Sequence, residues 1–509
     1  MKTDWQEDLL ITSQNKRRGY QGEGTTSSRS VRVRVRIVWS LYTIIVAVII
    51  AKIVYLQTVE RGQHVLSAES NHVELKREVA PRGVINDRRG VGLVRDQATA
   101  PIVGYISEVK KEEIGCRDGL CYQSGMMIGR AGLEQIFESS LRGRDGGRLV
   151  ETDAGGIEVR ELGSNQAEAG TDIKLSMDGR LQEIMYSALG GRKGSAVAMD
   201  TQGRVLGLVS SPSYDPNKIT DYLSDKENLY FFNRAISGTY APGSVFKLVT
   251  GLAGLTEGKI SQTTEYEDTG EIRVGDYRYG NWYFDQYGGK EGKIDLVRAY
   301  ARSNDIYFYK VGEEVGVDSL VRWARRFGLG EKTGIELPGE AAGLVPDRLW
   351  KERKTGEKWF LGNTYHLSIG QGDLLVTPLQ VARMTLSAIS GRKCSVTLLA
   401  DKVVECSDLG LKTEDINLVR EGMRQACSSG GTAFPLFQFD PYVLCKTGTA
   451  QHSGQLTEKD LPHAWITVAY PGENPEMILT VMLEAAGEGS AEAGPVAKEI
   501  LTKWKEMGE

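Results

Sequence analysis

Twenty consecutive residues, Ile37 to Leu56 (IVWSLYTIIVAVIIAKIVYL), carry one charge, that of Lys52. As a helix rising ~1.5 Å per residue this run spans about 30 Å, the thickness of a bilayer core. Trp39, Tyr42 and Tyr55 stand near its ends, where aromatic rings favour the membrane interface, and Lys52 can extend its ammonium outward. A membrane-spanning helix over 37–56 is therefore expected. Residues 1–36 hold eight Lys/Arg against four Asp/Glu, an excess of +4 in a chain of net charge -5, so the remainder carries -9. A positive flank stays in the cytoplasm, which puts everything from Gln57 onward outside. A cleaved signal peptide fits less well, because the basic segment is long and no A-x-A-like site follows the apolar run. The Gly/Ser/Arg-rich tail 1–36 is expected to be disordered up to the VRVRVR stretch at 31–36, which has a strand's period but is expected to continue the helix.

Taken whole, the chain is ordinary globular material, 40% hydrophobic and 25% charged. Short apolar runs and Gly/Arg-rich turns over 57–176 suggest a small α+β stalk. From 177 to 509 a larger domain is expected. It begins with a helix at Gly179–Leu189 and a β-hairpin at Gly194–Pro216 that turns at Thr201-Gln202-Gly203. Helical patterns follow to about Arg392, and strands return near Ser395–Val404 and across Tyr442–Leu483. All six cysteines lie in the part expected outside, where disulfides are permitted. Cys116/Cys121 and Cys394/Cys406 flank short loops and either pair could close, but six cysteines allow fifteen full pairings and the sequence does not choose. The five histidines are scattered, with no C-x-x-C or H-E-x-x-H, so no metal is expected.

The chemistry turns on S-x-x-K, a weak pattern that occurs at Ser13, Ser107, Ser244 and Ser390. Ser13 lies in the tail, Ser107 in a charged stretch and Ser390 beside a Gly-Arg-Lys turn, and each reads as solvent-facing polarity. Ser244 differs, because Tyr240-Ala241-Pro242-Gly243 makes a turn and an apolar helix runs from Phe246 to Leu255. The serine then sits in a first helical turn, at the positive end of the helix dipole, with Lys247 on the same face. A neutral lysine there can take the serine proton, although a helix-capping Ser and a surface Lys would look the same in isolation. Ser303-Asn304-Asp305 falls between two helical patterns, Leu296–Arg302 and Ile306–Glu314, at a turn that projects Ser303 and Asp305. Of three K-T-G tripeptides, those at Lys332 and Lys354 read as surface turns. The one at Lys446 ends an apolar strand and leads through Thr447 and Gly448 to Thr449 and Ala450, small residues that let a ligand backbone approach.

In this order the set resembles the active-site motifs of penicillin-binding proteins and β-lactamases. The longer segments PRGVINDRRG (81–90), GLEQIFESSLRG (132–143), NRAISGTYAPGSVFK (233–247), SIGQGDLLVTPLQ (368–380) and KTGTAQ (446–451) resemble the class B penicillin-binding proteins. The resemblance implies an α+β fold: a five-stranded antiparallel sheet between helical layers, set on a pedestal. It also implies a cofactor-free D,D-transpeptidase that cross-links D-Ala-D-Ala stem peptides of peptidoglycan and is trapped by β-lactams. Ser244 would be the nucleophile, Lys247 its base, Ser303 a proton relay and Lys446 a shaper of the local field. Asp305 would support the relay, Thr447, Gly448 and Thr449 would bind substrate, and the N–H groups of Ser244 and Thr449 would form the oxyanion hole. Asp305 stands where many relatives have Asn. With no room expected for a glycan-polymerising domain, a polytopic membrane polymerase is the implied partner; nucleic acid is not. A D,D-carboxypeptidase is the nearest chemical alternative. A β-lactamase lacks its E-x-x-L-N-like segment here, and a β-lactam sensor would need more than a 36-residue tail.

Overall fold

The computed structural model describes residues 28–61, 73–117, 119–152, 157–451 and 460–508. They divide into two compact units, Met1–Glu78 with Gly147–Asn165 and Val79–Gly146 with Gln166–Glu509.

The first unit contains the helix Ser28–Thr58, which takes in the VRVRVR stretch as expected. Its segment Val33–Thr58 is, among the described residues, the one helix long and apolar enough to cross a membrane. Its two threonine hydroxyls are satisfied locally, Thr43 donating to Trp39 O (2.9 Å) and Thr58 to Val54 O (2.7 Å), as a membrane-spanning helix would require. The disorder expected of the tail 1–36 gives way to helix from Ser28 onward, and residues 1–27 lie outside the described residues. A three-stranded sheet completes the unit, with Gly146–Thr152 between Val73–Glu78 and Glu158–Asn165.

The second unit is built on five antiparallel strands: β1 (Gly194–Asp200), β2 (Val205–Ser211), β3 (Leu444–Ala450), β4 (His463–Tyr470) and β5 (Met477–Leu483), in the order β2-β1-β5-β4-β3. Their near-continuous apolar runs follow from burial on both faces, since alternate residues point to opposite sides. On the front, Val197, Met199, Leu444, Trp465 and Ile478 share one core with the helices α2 (Lys247–Thr256) and α5 (Pro378–Ser390). On the back, Ala196, Cys445, Ile466, Val468 and Val481 pack with α1 (Gly179–Leu189) and α7 (Gly494–Glu506). The helix starts are encoded locally. Asp178 accepts from Arg180 N before α1, and a Thr377/Gln380 capping box with Pro378 in the first turn opens α5.

The segment Val79–Gly146 belongs to the same core, to which it contributes Ile102, Val103, Leu133 and Leu141. Two of the quoted sequence segments meet there. Arg82 donates from Nη2 to Glu134 (2.5 Å) and Glu138 (2.6 Å), closing a largely buried network that no single segment could satisfy.

Two expectations need correction. Ser395–Val404 is a loop, not a strand: the paired strands are Arg392–Cys394 and Cys406–Asp408 on either side of it. The apolar run 396–399 is buried through single bridges, Thr397 to Arg204 and Leu399 to Leu175, which leaves no ladder to extend. Lys354 stands in the last turn of helix Arg348–Thr355 rather than in a loop. All three disulfides are formed: Cys116–Cys121, Cys394–Cys406 and Cys427–Cys445, of which the third joins cysteines not paired from the sequence.

Candidate active site

The turn before Ser244 is fixed by its neighbours rather than by its own propensity. Tyr240 exchanges both backbone hydrogen bonds with Val376 (2.9 Å each), and the indole of Trp465 on β4 donates to Ala241 O (3.1 Å). Gly243 has φ +55°, and a Cβ there would lie 2.7 Å from the Thr449 carbonyl oxygen. A glycine is required on both counts. Its N–H donates to Gly370 O (2.8 Å), and Gly370 in turn has no room for a Cβ, which would meet Gly243 O at 2.2 Å. Ser244 then opens a 3₁₀ turn, Gly243–Phe246, that runs into α2 at Lys247. The serine is half-buried.

Lys247 is completely buried. Its Nζ donates to Ser303 O (2.8 Å), Asp305 Oδ1 (2.7 Å) and, at longer range, Ser303 Oγ (3.4 Å). Lys446 on β3 is also fully buried and donates to Ser303 Oγ (2.7 Å) and Thr447 O (2.9 Å). The three motifs therefore converge on one hydroxyl, that of Ser303. No hydrogen bond among the described residues joins Ser244 Oγ to Lys247. Burial pulls the Lys247 ammonium down from its ordinary range, with the Asp305 carboxylate opposing. Lys446 falls further, through burial and then the Lys247 charge, again against Asp305. Two buried ammoniums facing one carboxylate would leave a net charge out of water, so a neutral amine is favoured in this cluster.

Ser303 is held between the helices α3 (Leu296–Arg302) and α4 (Asp305–Val315) in a left-handed conformation, φ 52°. Such a backbone is uncommon outside glycine and persists only where its surroundings enforce it. Asn304 caps α4 by accepting from Tyr307 N (2.9 Å) and donates to Asp268 Oδ2 (2.8 Å). The same carboxylate oxygen accepts from Asn281 Nδ2 (2.9 Å) and Glu291 N (3.0 Å). Asp305 Oδ2 accepts from Trp282 N (3.2 Å), so both its oxygens are used.

Thr447 shares a hydrogen bond with Thr432 (2.8 Å), and Thr449 Oγ1 accepts from Gly489 N (3.2 Å). Gly489 lies so close to β3 that a Cβ would sit 2.3 Å from both Gly448 O and Trp465 O. Gly448 packs beneath Pro242, with its virtual Cβ 3.0 Å from the proline carbonyl oxygen. Strand β3 ends the sheet, and its outer side pairs with no other strand among the described residues.

The sequence reading thus finds Lys247, Ser303, Asp305, Lys446 and Thr447 in one connected network, with Ser244, Gly448 and Thr449 adjoining it. Two of the rival S-x-x-K serines are used elsewhere, Ser107 accepting from Arg130 (2.7 Å) and Ser390 donating to Leu386 O (2.7 Å) at a helix end, while Ser13 lies outside the described residues. Unforeseen were the supports: Asp268 with Asn281, Gly370, Gly489, Thr432 and Trp465. Gly370 lies in the Ser368-Ile369-Gly370-Gln371-Gly372 stretch, whose paired glycines are a signal of close backbone approach. The Asp268 hub gave no signal, since the Asn281 and Asn304 side chains it holds are 13 and 36 residues away.

Comparison with known proteins agrees along most of the chain. A family model of the penicillin binding protein transpeptidase domain matches residues 194–502, and one of the penicillin-binding protein dimerisation domain matches 94–175. Peptidoglycan D,D-transpeptidase MrdA of Acinetobacter baumannii is 33% identical over 444 residues, which cover 80% of this chain and 64% of that protein. MrdA of Escherichia coli K12 is 30% identical over 453 residues, 79% of this chain and 69% of the relative. The chain thus spans less than two thirds of the length of the first of these. Among solved structures, Pseudomonas aeruginosa PBP2 in complex with WCK 5153 superposes with TM-score 0.73 at 32% identity, covering 85% of this chain and 96% of the other. A chain of a peptidoglycan synthase complex gives 0.75 at 26% identity, covering 92% and 98%. With a transpeptidase model over its larger part, MrdA relatives along four fifths of its length and the five-stranded sheet in place, the chain belongs to the class B penicillin-binding proteins.

Proposed function

We propose that the chain is a peptidoglycan D,D-transpeptidase that works through an acyl-enzyme on Ser244. The observation that carries this reading is the convergence of Lys247 and Lys446 on Ser303, both buried and both pulled toward neutrality. A hydroxyl is a weak nucleophile until a base takes its proton, and a desolvated lysine one helical turn away can do so. Ser244 Oγ attacks the carbonyl of the penultimate D-Ala, and its proton passes to Lys247. Ser303 relays a proton to the leaving amine, with Lys446 tuning the field around it. The N–H groups of Ser244 and Thr449 receive the developing oxyanion, each worth about 3–4 kcal/mol. The stem peptide adds to the open side of β3 as a further strand, and Thr447 and Thr449 take its terminal carboxylate. An amine of a second stem peptide then accepts the acyl group. A β-lactam forms the same ester but leaves no departing fragment, so the serine stays blocked.

The domain reading is 57–176 as pedestal and 177–509 as transpeptidase domain. Residues 37–56 anchor the protein in the bacterial membrane, with the basic tail in the cytoplasm and the catalytic domain outside. One similar solved structure comes from a complex described as coordinating polymerization and crosslinking, which supports a polytopic glycan polymerase as the partner here.

A time course with fluorescent penicillin tests the central claim. The wild-type chain should give a long-lived covalent adduct and Ser244→Ala none. Labelling that persists in Ser244→Ala refutes the nucleophile, and rapid loss of the wild-type label points to a β-lactamase.

A further inference from the structure

Strand β3 carries Lys446, yet the sheet grips it from one side only, through β4. In the proposed reaction its other side receives the substrate, so any further restraint has to come from behind. Helix α6 (Thr413–Ala426) and the loop after it supply one. The helix packs closely on α3 at Gly422, where the Tyr300 side chain lies against its backbone and a Cβ would meet the Tyr300 Cβ at 2.6 Å. Tyr300 itself donates from its hydroxyl to Lys247 O (3.2 Å). Past Ala426 the chain turns tightly: Ala433 N donates back to Ala426 O (2.9 Å), and Gly431 has no room for a side chain. On the way, Gly430 O accepts from Arg302 (3.1 Å), the residue before Ser303, and Thr432 bonds to Thr447, the residue after Lys446. Loop 427–433 therefore touches the Ser303 turn on one side and β3 on the other. Its covalent end is Cys427, bonded to Cys445, the residue before Lys446.

The two faces of the strand separate the roles. Cys445 packs in the back core with Cys427, and Lys446 reaches Ser303 from the front. We infer that the Cys427–Cys445 disulfide is a positioning device for acyl transfer, tying β3 to the α6 loop so that Lys446 and the Ser303 turn keep their spacing while the substrate edge of the strand stays open. The inference rests on the proposal that Lys446 and Ser303 serve Ser244. Displacements of about 1 Å in such a constellation can cost up to about 100-fold in rate.

The test uses the full-length chain in detergent, purified without reductant, and separates the affinity of the non-covalent penicillin complex from the acylation rate constant. Cys427→Ser/Cys445→Ser should lower the rate constant by about tenfold or more at nearly unchanged affinity, well below its melting temperature. The pair Cys394→Ser/Cys406→Ser should leave it unchanged. Treatment with a dithiol should reproduce the loss in the wild-type protein; the reagent closes to its cyclic disulfide as two electrons and two protons convert the cystine to two thiols. It should not slow the Cys427→Ser/Cys445→Ser protein further. If that variant does not fold, the arm on a chain retaining only Cys427 and Cys445 decides, where the dithiol must still slow acylation. Acylation at the wild-type rate without this disulfide, in a protein still labelled at Ser244, overturns the inference alone. An unlabelled wild-type protein overturns the reading of function beneath it.

Discussion

Replacing Asp305 by asparagine keeps the shape of the side chain and removes its charge, which isolates the electrostatic part of its role. The carboxylate lies 2.7 Å from Lys247 Nζ and raises the affinity of both buried lysines for protons. Two unit charges at that separation interact by about 6 kcal/mol at an effective dielectric near 20. The amide dipole that replaces the carboxylate returns part of this, and a net change of about 1–3 pKa units is what a close charge partner commonly produces. At ~1.4 kcal/mol per unit, that is about 1.4–4 kcal/mol. The sign is definite. Without the carboxylate, Lys247 and Lys446 lose their protons at lower pH, so the base is available in more acid solution. Since the two lysines are coupled, the quantity to follow is the apparent pKa of the pair. The second-order rate of acylation by fluorescent penicillin should be measured from about pH 5 to pH 10 for both proteins. Its acid limb should move down by about 1–3 units in Asp305→Asn, and the alkaline plateau should fall because a weaker base takes the serine proton less readily. An acid limb that stays in place, or moves up, would falsify the view that Asp305 sets the protonation of these lysines.

Other outcomes follow from single contacts. Lys247→Ala should lower acylation by about 100- to 10,000-fold, whereas Lys354→Ala should leave it unchanged; equal losses mean that the wrong motifs were chosen. Gly489→Ala drives a methyl group into two carbonyl oxygens at 2.3 Å, so acylation should drop by about tenfold and stability by about 1–3 kcal/mol in chemical denaturation. A variant that acylates normally shows that β3 tolerates a shift there. Asp268→Asn turns a donor either toward Gly270 N or toward Asn281, Asn304 and Glu291 N, and should cost about 2–4 kcal/mol of stability; an unchanged denaturation midpoint removes the hub from the account.

What the sequence made legible is what short-range physics determines. The boundaries of α1 and of the helices either side of Ser303 are set by caps and periodicity within a few residues, and they were readable to within a residue or two. The β1–β2 hairpin was readable for the same reason. The strand expected over Ser395–Val404 fails because its apolar residues are buried by isolated bridges, which no local pattern distinguishes from a ladder. In the site, the clustering of Lys247, Ser303, Asp305 and Lys446 was legible because the motifs that the proposed acyl transfer needs come in order along the chain. Their supports were not. Gly489 is required by the closeness of β3, some forty residues away in sequence, and Asp268 by donors from three separate segments. The Cys427–Cys445 pair needs the sheet to be folded before its partners are neighbours.

The open side of β3 has a cost outside catalysis. An unpaired strand edge is a template for any extended chain, and sheet proteins commonly guard such edges with lysines, prolines or bulges. Here the edge runs Lys446-Thr447-Gly448-Thr449-Ala450, with its lysine turned inward to Ser303 and small residues after it, and what guards it is burial: of Leu444–Ala450 only Thr449 is exposed, and Gln371 donates to its carbonyl oxygen (3.1 Å). Self-association through strand pairing is the hazard of such an edge, and burial limits it here. The unpaired edge makes short extended peptides, with no lactam ring at all, a rational starting point for ligands that compete along the strand.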